Sequence, residues 1–383
     1  MKTFLIKDLI SDKISGEWGI DPVSDKCVRV IRSTNFTKEG KLKLSNVVER
    51  DISDAKVQQK KLKLGDIIIE KSGGSPSQPV GRVVFFDVDD GKTYLCNNFT
   101  SILRPSEKVF PKYLFYSLYY LHLKNKTLNY QNKTTGIINL QLDRYIKSER
   151  VSLPILEDQK RIVKILDEAD ALRQKRKQAI ELLGDYLKSV FSEMFGDLRI
   201  NSKKLEVSKM EDIAEINMGQ SPKGDSYNCL AEGVPLLNGP TEFGDKYPKE
   251  KQWTTDPKKF CKFNDILFCV RGATAGRMNW ADKKYSIGRG LCAIRPRNNI
   301  ISRTFLYVFL SQMYDVFQST SNGSTFINID KKRLNNLIVP VDPEKSIVFE
   351  KAFLRVESLK QIMLAQSEEL ETQFQALMQR CFG

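Results

Sequence analysis

A chain of 383 residues, 41% apolar and 28% charged, has the composition of a folded protein long enough for two or more domains, and excludes a disordered or collagenous one. Its formal charge of +14 and pI near 9.3 favour a polyanionic partner, because each Lys or Arg set against a phosphate releases condensed counterions. A single histidine, His122, and seven cysteines without C-x-x-C spacing leave little for His-dependent triads or metal centres and favour reduced thiols over disulfides.

The chain opens on MKTFLIKDLISDK, which lacks the apolar stretch of a signal peptide. No run of about 18 apolar residues follows, so a cytoplasmic protein is expected. Residues 1 to about 150 read as mixed and strand-rich. Short β-branched or apolar runs at 28–31, 66–69 and 82–86 are cut by the turn-forming stretches GGSPSQPVG (73–81) and DVDDGK (87–92). A helix is predicted over 111–123, with Pro111 in its first turn and Leu114, Phe115, Leu118 and Leu121 at helical spacing. NYQNKTTGIINLQ is then polar and afterwards β-like, and Leu153 with Pro154 closes the domain.

Residues 159–196 carry a proline-free helical pattern. Stepping four then three residues from Ile162 gives Leu166, Ala169, Arg173, Arg176, Ile180, Leu183, Leu187, Val190 and Met194, a heptad seam with a basic break. Adding 187 gives Phe349, Phe353, Val356, Lys360, Met363, Ser367, Leu370, Phe374, Leu377 and Cys381, with a basic residue again at the fourth place and Phe-Gly again at the end. The globular part repeats too. KLEVSKMEDIAEI (204–216) answers the opening FLIKDLI, 234–237 answers 28–31, FNDILFCVRG (263–272) answers LGDIIIEKSG (64–73), and AIRP (293–296) answers ILRP (102–105). Ile327, Asn328 and Ile329 answer Ile138, Asn139 and Leu140. The offset falls in order, from 199 between Asp66 and Asp265 to 187 in the helices, as small loop deletions would make it. One module is written twice.

The block LPILEDQKRIVKILDEADALRQKRKQAIELLGDYLKSVFSEMFGD (153–197) resembles the central conserved region of the specificity subunits of type I restriction-modification systems. The paired GD-I-L-like, IRP-like and (G)-x-IN elements resemble that family's two target-recognition domains. The second helix, with EKSIVFEKAFLRVESLKQIML, lacks the EDQKRIV wording of the first. The resemblance implies an α+β fold with two globular mixed α/β target-recognition domains, at 1–153 and 198–342. Two long antiparallel helices, at 154–197 and 343–383, would separate them as a coiled-coil rod with a pseudo-twofold internal repeat. A helix over 160–195 spans roughly 50 Å at 1.5 Å per residue, and a pseudo-dyad suits duplex DNA. The implied function is a non-catalytic subunit that binds double-stranded DNA and reads a bipartite, asymmetric target, one domain per half-site. The implied partners are modification (methyltransferase) subunits, two in number, and restriction (endonuclease/translocase) subunits, with no membrane. No cofactor is expected in this chain; S-adenosylmethionine is expected in the methyltransferase partner.

Base readout needs polar and basic side chains on loops or helix starts, since phosphate contacts carry no sequence information. In the first domain the candidates are Lys71 and Ser72 beside the Gly73-Gly74 turn, and Lys133, Thr134 and Thr135 before Gly136. In the second they are Arg271 beside Gly272, Arg277, Arg289, and Asn322, Ser324 and Thr325 around Gly323; Lys331, Lys332 and Arg333 suit phosphates. An ordinary exposed loop side chain is an equal alternative for each. Asn139 and Asn328 precede expected helix starts and read as turn or cap residues rather than base contacts. The cluster Arg173, Lys175, Arg176 and Lys177 reads more readily as a solvated face or register device than as a DNA contact. Ile165, Leu172, Ala179 and Tyr186 recur every seven residues outside the seam, whereas their counterparts are Ala352, Leu359, Gln366 and Gln373. A partner subunit or the recognition domains are therefore expected to cover the stripe on the first helix.

Rival functions find little support. A methyltransferase needs an N/D-P-P-Y/F-type tetrad, and Pro-Pro occurs nowhere. Asp66, Glu70 and Lys71 can be forced into a nuclease-like pattern, but the repeat has Asp265, Cys269 and Val270 there. GQSPKGDS (219–226) does not fit a nucleotide-triphosphate loop. The remaining alternative is a coiled-coil scaffold that binds protein partners and has only non-specific DNA affinity.

Overall fold

The computed structural model describes residues 2–23, 27–75, 78–134, 137–297, 300–319 and 327–383. They form two compact units, Met1–Lys177 with Gln366–Gly383, and Gln178–Ala365.

Both units are built on the same antiparallel sheet. In the first, the strand order is Ile10–Ser15, Thr100–Pro105, Ile67–Glu70, Val83–Phe85. In the second it is Ala214–Met218, Leu291–Pro296, Ile266–Cys269, Met278–Trp280. The strands IIIE and ILFC are buried throughout, which is why they read as continuous apolar runs without alternation. A parallel pair accompanies each sheet, Val28–Ile31 with Tyr94–Cys96 and Val234–Leu237 with Ser286–Ile287. Each unit then pairs an opening strand with the last strand before a long helix, Lys2–Leu5 with Arg150–Leu153 and Glu206–Lys209 with Ile338–Val341.

Two of the repeated sequence elements turn out to be halves of one interaction. Asp66, 1% exposed, accepts from Nε and Nη2 of Arg104 at 2.8 Å each and from the Lys63 amide at 2.8 Å. Asp265, equally buried, accepts from the same two nitrogens of Arg295 at 2.7 Å and from the Lys262 amide at 2.7 Å. The aspartate of the GD-I-L element and the arginine of the IRP element thus form a bidentate pair across neighbouring strands, a geometry only a guanidinium provides.

The long helices are Leu156–Phe195 and Pro343–Phe382, 40 residues each. The first unit takes Val163 and Leu166 from the start of one helix and Phe374 and Met378 from the end of the other into its core. Its helix Pro111–Leu123 ties to both: Tyr116 donates to Asp167 at 2.6 Å, Tyr120 to Gln379 at 2.8 Å, and the ring of Phe382 lies 5.3 Å from that of Tyr113. In the second unit the end of the first helix meets the start of the second. Phe191 and Phe195 pack on Phe349, and both lie against Phe305 of the helix Arg303–Gln312. Start against end in one unit and end against start in the other is antiparallel pairing, and Phe195 and Phe382 play the same part.

Within the basic cluster Arg173 is drawn into the protein and Lys177 into an ion pair, whereas Lys175 stays exposed as a solvated face would have it. Arg173 is 4% exposed. It donates to Glu371 at 2.5 and 3.1 Å and to Asp170 at 3.3 Å, with its guanidinium 4.1 Å from the centre of the Phe374 ring. Lys41 holds the other oxygen of Asp170 at 2.7 Å, and Lys177 donates to Glu39 at 2.7 Å. The first helix carries the expected extra stripe, but the second exposes apolar residues at other positions. Ile347, Val348, Leu354, Leu359, Ile362 and Leu364 are exposed on the second helix, beside Leu156, Ile165, Leu172, Leu182 and Tyr186 on the first. Counting only the positions 187 residues on passed over them.

Replacing Arg173 with Ala strands the Phe374 face and leaves Glu371 without its guanidinium, so it is expected to cost about 3 kcal/mol in urea unfolding. Arg173→Met, which keeps most of the volume, should cost clearly less; equal losses would show that the charge contacts rather than the packing on Phe374 carry the effect.

Candidate nucleic-acid interface

In the second unit three of the sequence candidates meet at the end of the strand Ile266–Cys269. The Cys269 amide donates to the Arg277 carbonyl at 2.8 Å, and Cys269 pairs with Leu291 on its other side. The Val270 amide donates to the Gly290 carbonyl at 2.9 Å. Arg271, Arg277 and Arg289 therefore stand on one rim, all three exposed. Among the described residues no side-chain hydrogen bond, ion pair or ring contact engages any of their guanidinium groups. Gly272 has φ +77 and Gly276 φ +90, and a Cβ on Gly272 would meet nothing within 4 Å. The backbone there is both left-handed and open to a close approach.

The first unit fills the same rim differently. Lys71 and Ser72 follow the strand Ile67–Glu70, and the hairpin of Gln131–Thr134 and Ile137–Leu140 pairs with Ser72–Gly74. This brings Lys133 and Thr134 into the same three-stranded sheet; Thr135 lies outside the described residues, as do Asn322, Ser324 and Thr325. Lys71 lines a cleft of about 440 Å³ with Lys13, Ser15, Gln141 and Arg144. Burial, with Lys13 and Lys60 nearby, holds its ammonium group below the usual lysine range.

The cap reading of the two asparagines is corrected. Asn139 pairs with Ser72 across strands and accepts from its hydroxyl at 2.5 Å, and Asn328 forms the matching bridge to Arg271. The helices Leu142–Ser148 and Lys331–Asn335 begin later, and the cap of the second is Asp330, which accepts from the Arg333 amide at 2.7 Å. Lys331 and Lys332 are exposed. The Arg333 guanidinium instead sits 5.7 Å over the Phe317 ring, tying its helix to Tyr314–Ser319.

Arg82 was missed by the sequence reading. Pairing of Ile69 with Val83 and of Phe268 with Met278 makes Arg82 the counterpart of Arg277. Its Nε and Nη2 donate to Glu70 at 2.8 Å each, and Nη2 also to the Ser33 carbonyl at 3.1 Å. The signal was the dipeptide Gly-Arg in both copies, 81–82 and 276–277, with a left-handed glycine each time. Asp66 and Glu70, the carboxylates of the nuclease-like pattern, are thus each gripped by an arginine fork. None of the seven cysteines forms a disulfide. Among the described residues no group of three or more His, Cys, Asp or Glu could hold a metal ion, and no helix is long and apolar enough to cross a membrane.

A family model of the type I restriction modification DNA specificity domain matches residues 26–182 and again 202–346. The chain belongs to this family. It is a type I restriction-modification specificity subunit, a DNA target-recognition component without catalytic function of its own. Its curated relatives include the putative type I restriction enzyme MjaX specificity subunit of Methanocaldococcus jannaschii, 29% identical over 396 residues that cover 94% of this chain and 91% of the relative. The MjaVIII specificity subunit of the same organism is 34% identical over 156 residues, 41% of this chain and 32% of that one. Two solved structures share the fold. A chain from work on complex assembly and conformational transition of a type I restriction-modification system has a TM-score of 0.61 at 20% identity, covering 99% of this chain and 97% of that one. The S subunit of M. genitalium has 0.58 at 15%, covering 100% and 96%.

Lys331→Ala with Lys332→Ala should weaken binding to all duplexes alike and lower the salt slope of affinity by about 2. Fluorescence anisotropy across a salt series reads this directly; a change in sequence preference would show that these lysines touch bases.

Proposed function

We propose that this specificity subunit reads a bipartite, asymmetric duplex target with one unit per half-site, and that its long helices dock the methyltransferase subunits, two per complex, with the restriction subunits joining them. The observation that carries the reading is that one backbone module presents two different rims. Lys71 and Ser72 in the first unit stand where Val270 and Arg271 stand in the second, each pair beside a left-handed glycine. Contacts that merely position a duplex would be needed alike by both copies, whereas side chains that differ suit the reading of different bases. Lys71, Ser72, Lys133, Thr134 and Thr135 are assigned to one half-site, and Arg271, Arg277, Arg289, Asn322, Ser324 and Thr325 to the other. Lys331 and Lys332 are assigned to phosphates, with Arg333 supporting their helix.

Ile165, Leu172 and Tyr186, exposed at 45%, 50% and 55%, and the half-buried Ala179 form the proposed docking stripe on the first helix. The second helix carries exposed apolar residues of its own. S-adenosylmethionine is assigned to the methyltransferase partner, no cofactor to this chain, and the cytoplasm is the proposed location.

Methylome sequencing of cells carrying the complete system is the direct test: a motif in two parts separated by a fixed spacer is expected, and modification without any such motif would overturn the reading. Exchanging the first unit's globular part for that of a relative should change one half of the motif only. Inserting whole heptads into both long helices should lengthen the spacer or abolish binding; an active variant with its spacer unaltered would refute the helices as the spacing element.

A further inference from the structure

Arg82 and Arg277 occupy the same place in the two copies and have opposite fates. In the first unit the strand Ile67–Glu70 ends on Glu70, which is 2% exposed. Both its oxygens are held by the fork of Arg82, which also reaches the Ser33 and Phe36 carbonyls at 3.1 and 3.4 Å and lies over the Phe36 ring. That guanidinium is fully engaged inside the protein. In the second unit the strand ends on Cys269, 1% exposed, whose thiol contacts the Arg271 carbonyl and the Thr274 hydroxyl at 3.5 Å each. A thiol cannot hold a guanidinium as a carboxylate does, and Arg277 points outward beside Arg271 and Arg289.

We propose that Arg277 is a base-edge reader of the second unit, contacting a guanine in the major groove, and that the residue at the end of the buried strand sets whether a unit presents this arginine: glutamate withdraws it, cysteine leaves it free. The proposal rests on the reading of one half-site per unit. The planar fork of a free arginine matches the O6 and N7 acceptors of guanine, and each such contact is worth about 1–3 kcal/mol of discrimination. A phosphate role fits less well, because the counterparts of the three rim arginines are Ser72, the sequestered Arg82 and Asn98; a contact to the common backbone would be needed in both copies.

The test uses the full chain assembled with its methyltransferase subunits and a pool of randomised duplexes, with the selected motif read by sequencing. Arg277→Ala, an exposed change that leaves the core intact, should erase the preference for guanine at one position of one half-site and lower affinity about 5- to 150-fold, the other half-site standing unchanged. Cys269→Glu should do the same by recapturing Arg277, while Cys269→Gln, of similar bulk but neutral, should keep the motif. The reciprocal Glu70→Cys should free Arg82 and add a guanine preference to the other half-site. An Arg277→Ala complex that keeps its motif, or that loses affinity for all duplexes equally, overturns the base-reading role. Cys269→Glu and Cys269→Gln behaving alike, or Glu70→Cys leaving its half-site unaltered, overturns the switch. A wild-type complex that selects no motif would instead remove the half-site reading beneath both.

Discussion

Each recognition unit is completed by the ends of two helices that lie far apart in the chain. Phe374 and Met378 belong to the core of the first unit and Phe382 packs against it, although more than 200 residues separate them from its last strand, while Phe191 and Phe195 belong to the core of the second unit. Side chains of this size stabilise by roughly 1.5–3 kcal/mol each when fully buried. A helix that only linked two finished domains could change in length or register with little penalty. Here its two ends are core residues of different units, so its length and register are coupled to the stability of both units.

Arginine forks are the second organising device. Arg104 on Asp66, Arg295 on Asp265, Arg82 on Glu70 and Arg173 on Glu371 all use charge inside the protein. The carboxylates in the first three pairs are almost fully buried, where a lone charge would be costly and a bidentate partner meets both lone-pair directions. The positive charge of the chain is therefore not all available to DNA. Among the described residues the rims carry the exposed Arg271, Arg277 and Arg289 in one unit and the half-buried Lys71 in the other, held by short strands whose geometry the two copies share.

Much of the architecture was legible because repetition made weak signals mutually supporting. The buried strands at 67–70 and 266–269, the helix Pro111–Leu123 and the two long helices stand where periodicity, Pro at a helix start and continuous apolar runs place them. Pairing was less legible. Asp66 and Arg104 were each noticed in their own motif, but they stand 38 positions apart in the chain, and only the neighbouring register of their strands makes them one interaction. Asn139 and Asn328 were misjudged as possible caps because proximity to a helix start in sequence says nothing of the strand across the sheet. The exposed apolar face of the second helix was overlooked because the repeat was projected residue for residue, and the two helices do not share their outer faces.

The sequence by itself determined the duplication, the order of strands and helices, and the chemistry suited to a polyanion, since these depend on composition and on patterns local to each element. Only the tertiary structure decided which charges are free. Arg82 and Arg277 follow the same glycine in the same motif, yet one is sealed against a buried carboxylate and the other is open to solvent. The difference lies in a residue on the adjacent strand, at hydrogen-bond distance in space and 12 positions away in the chain.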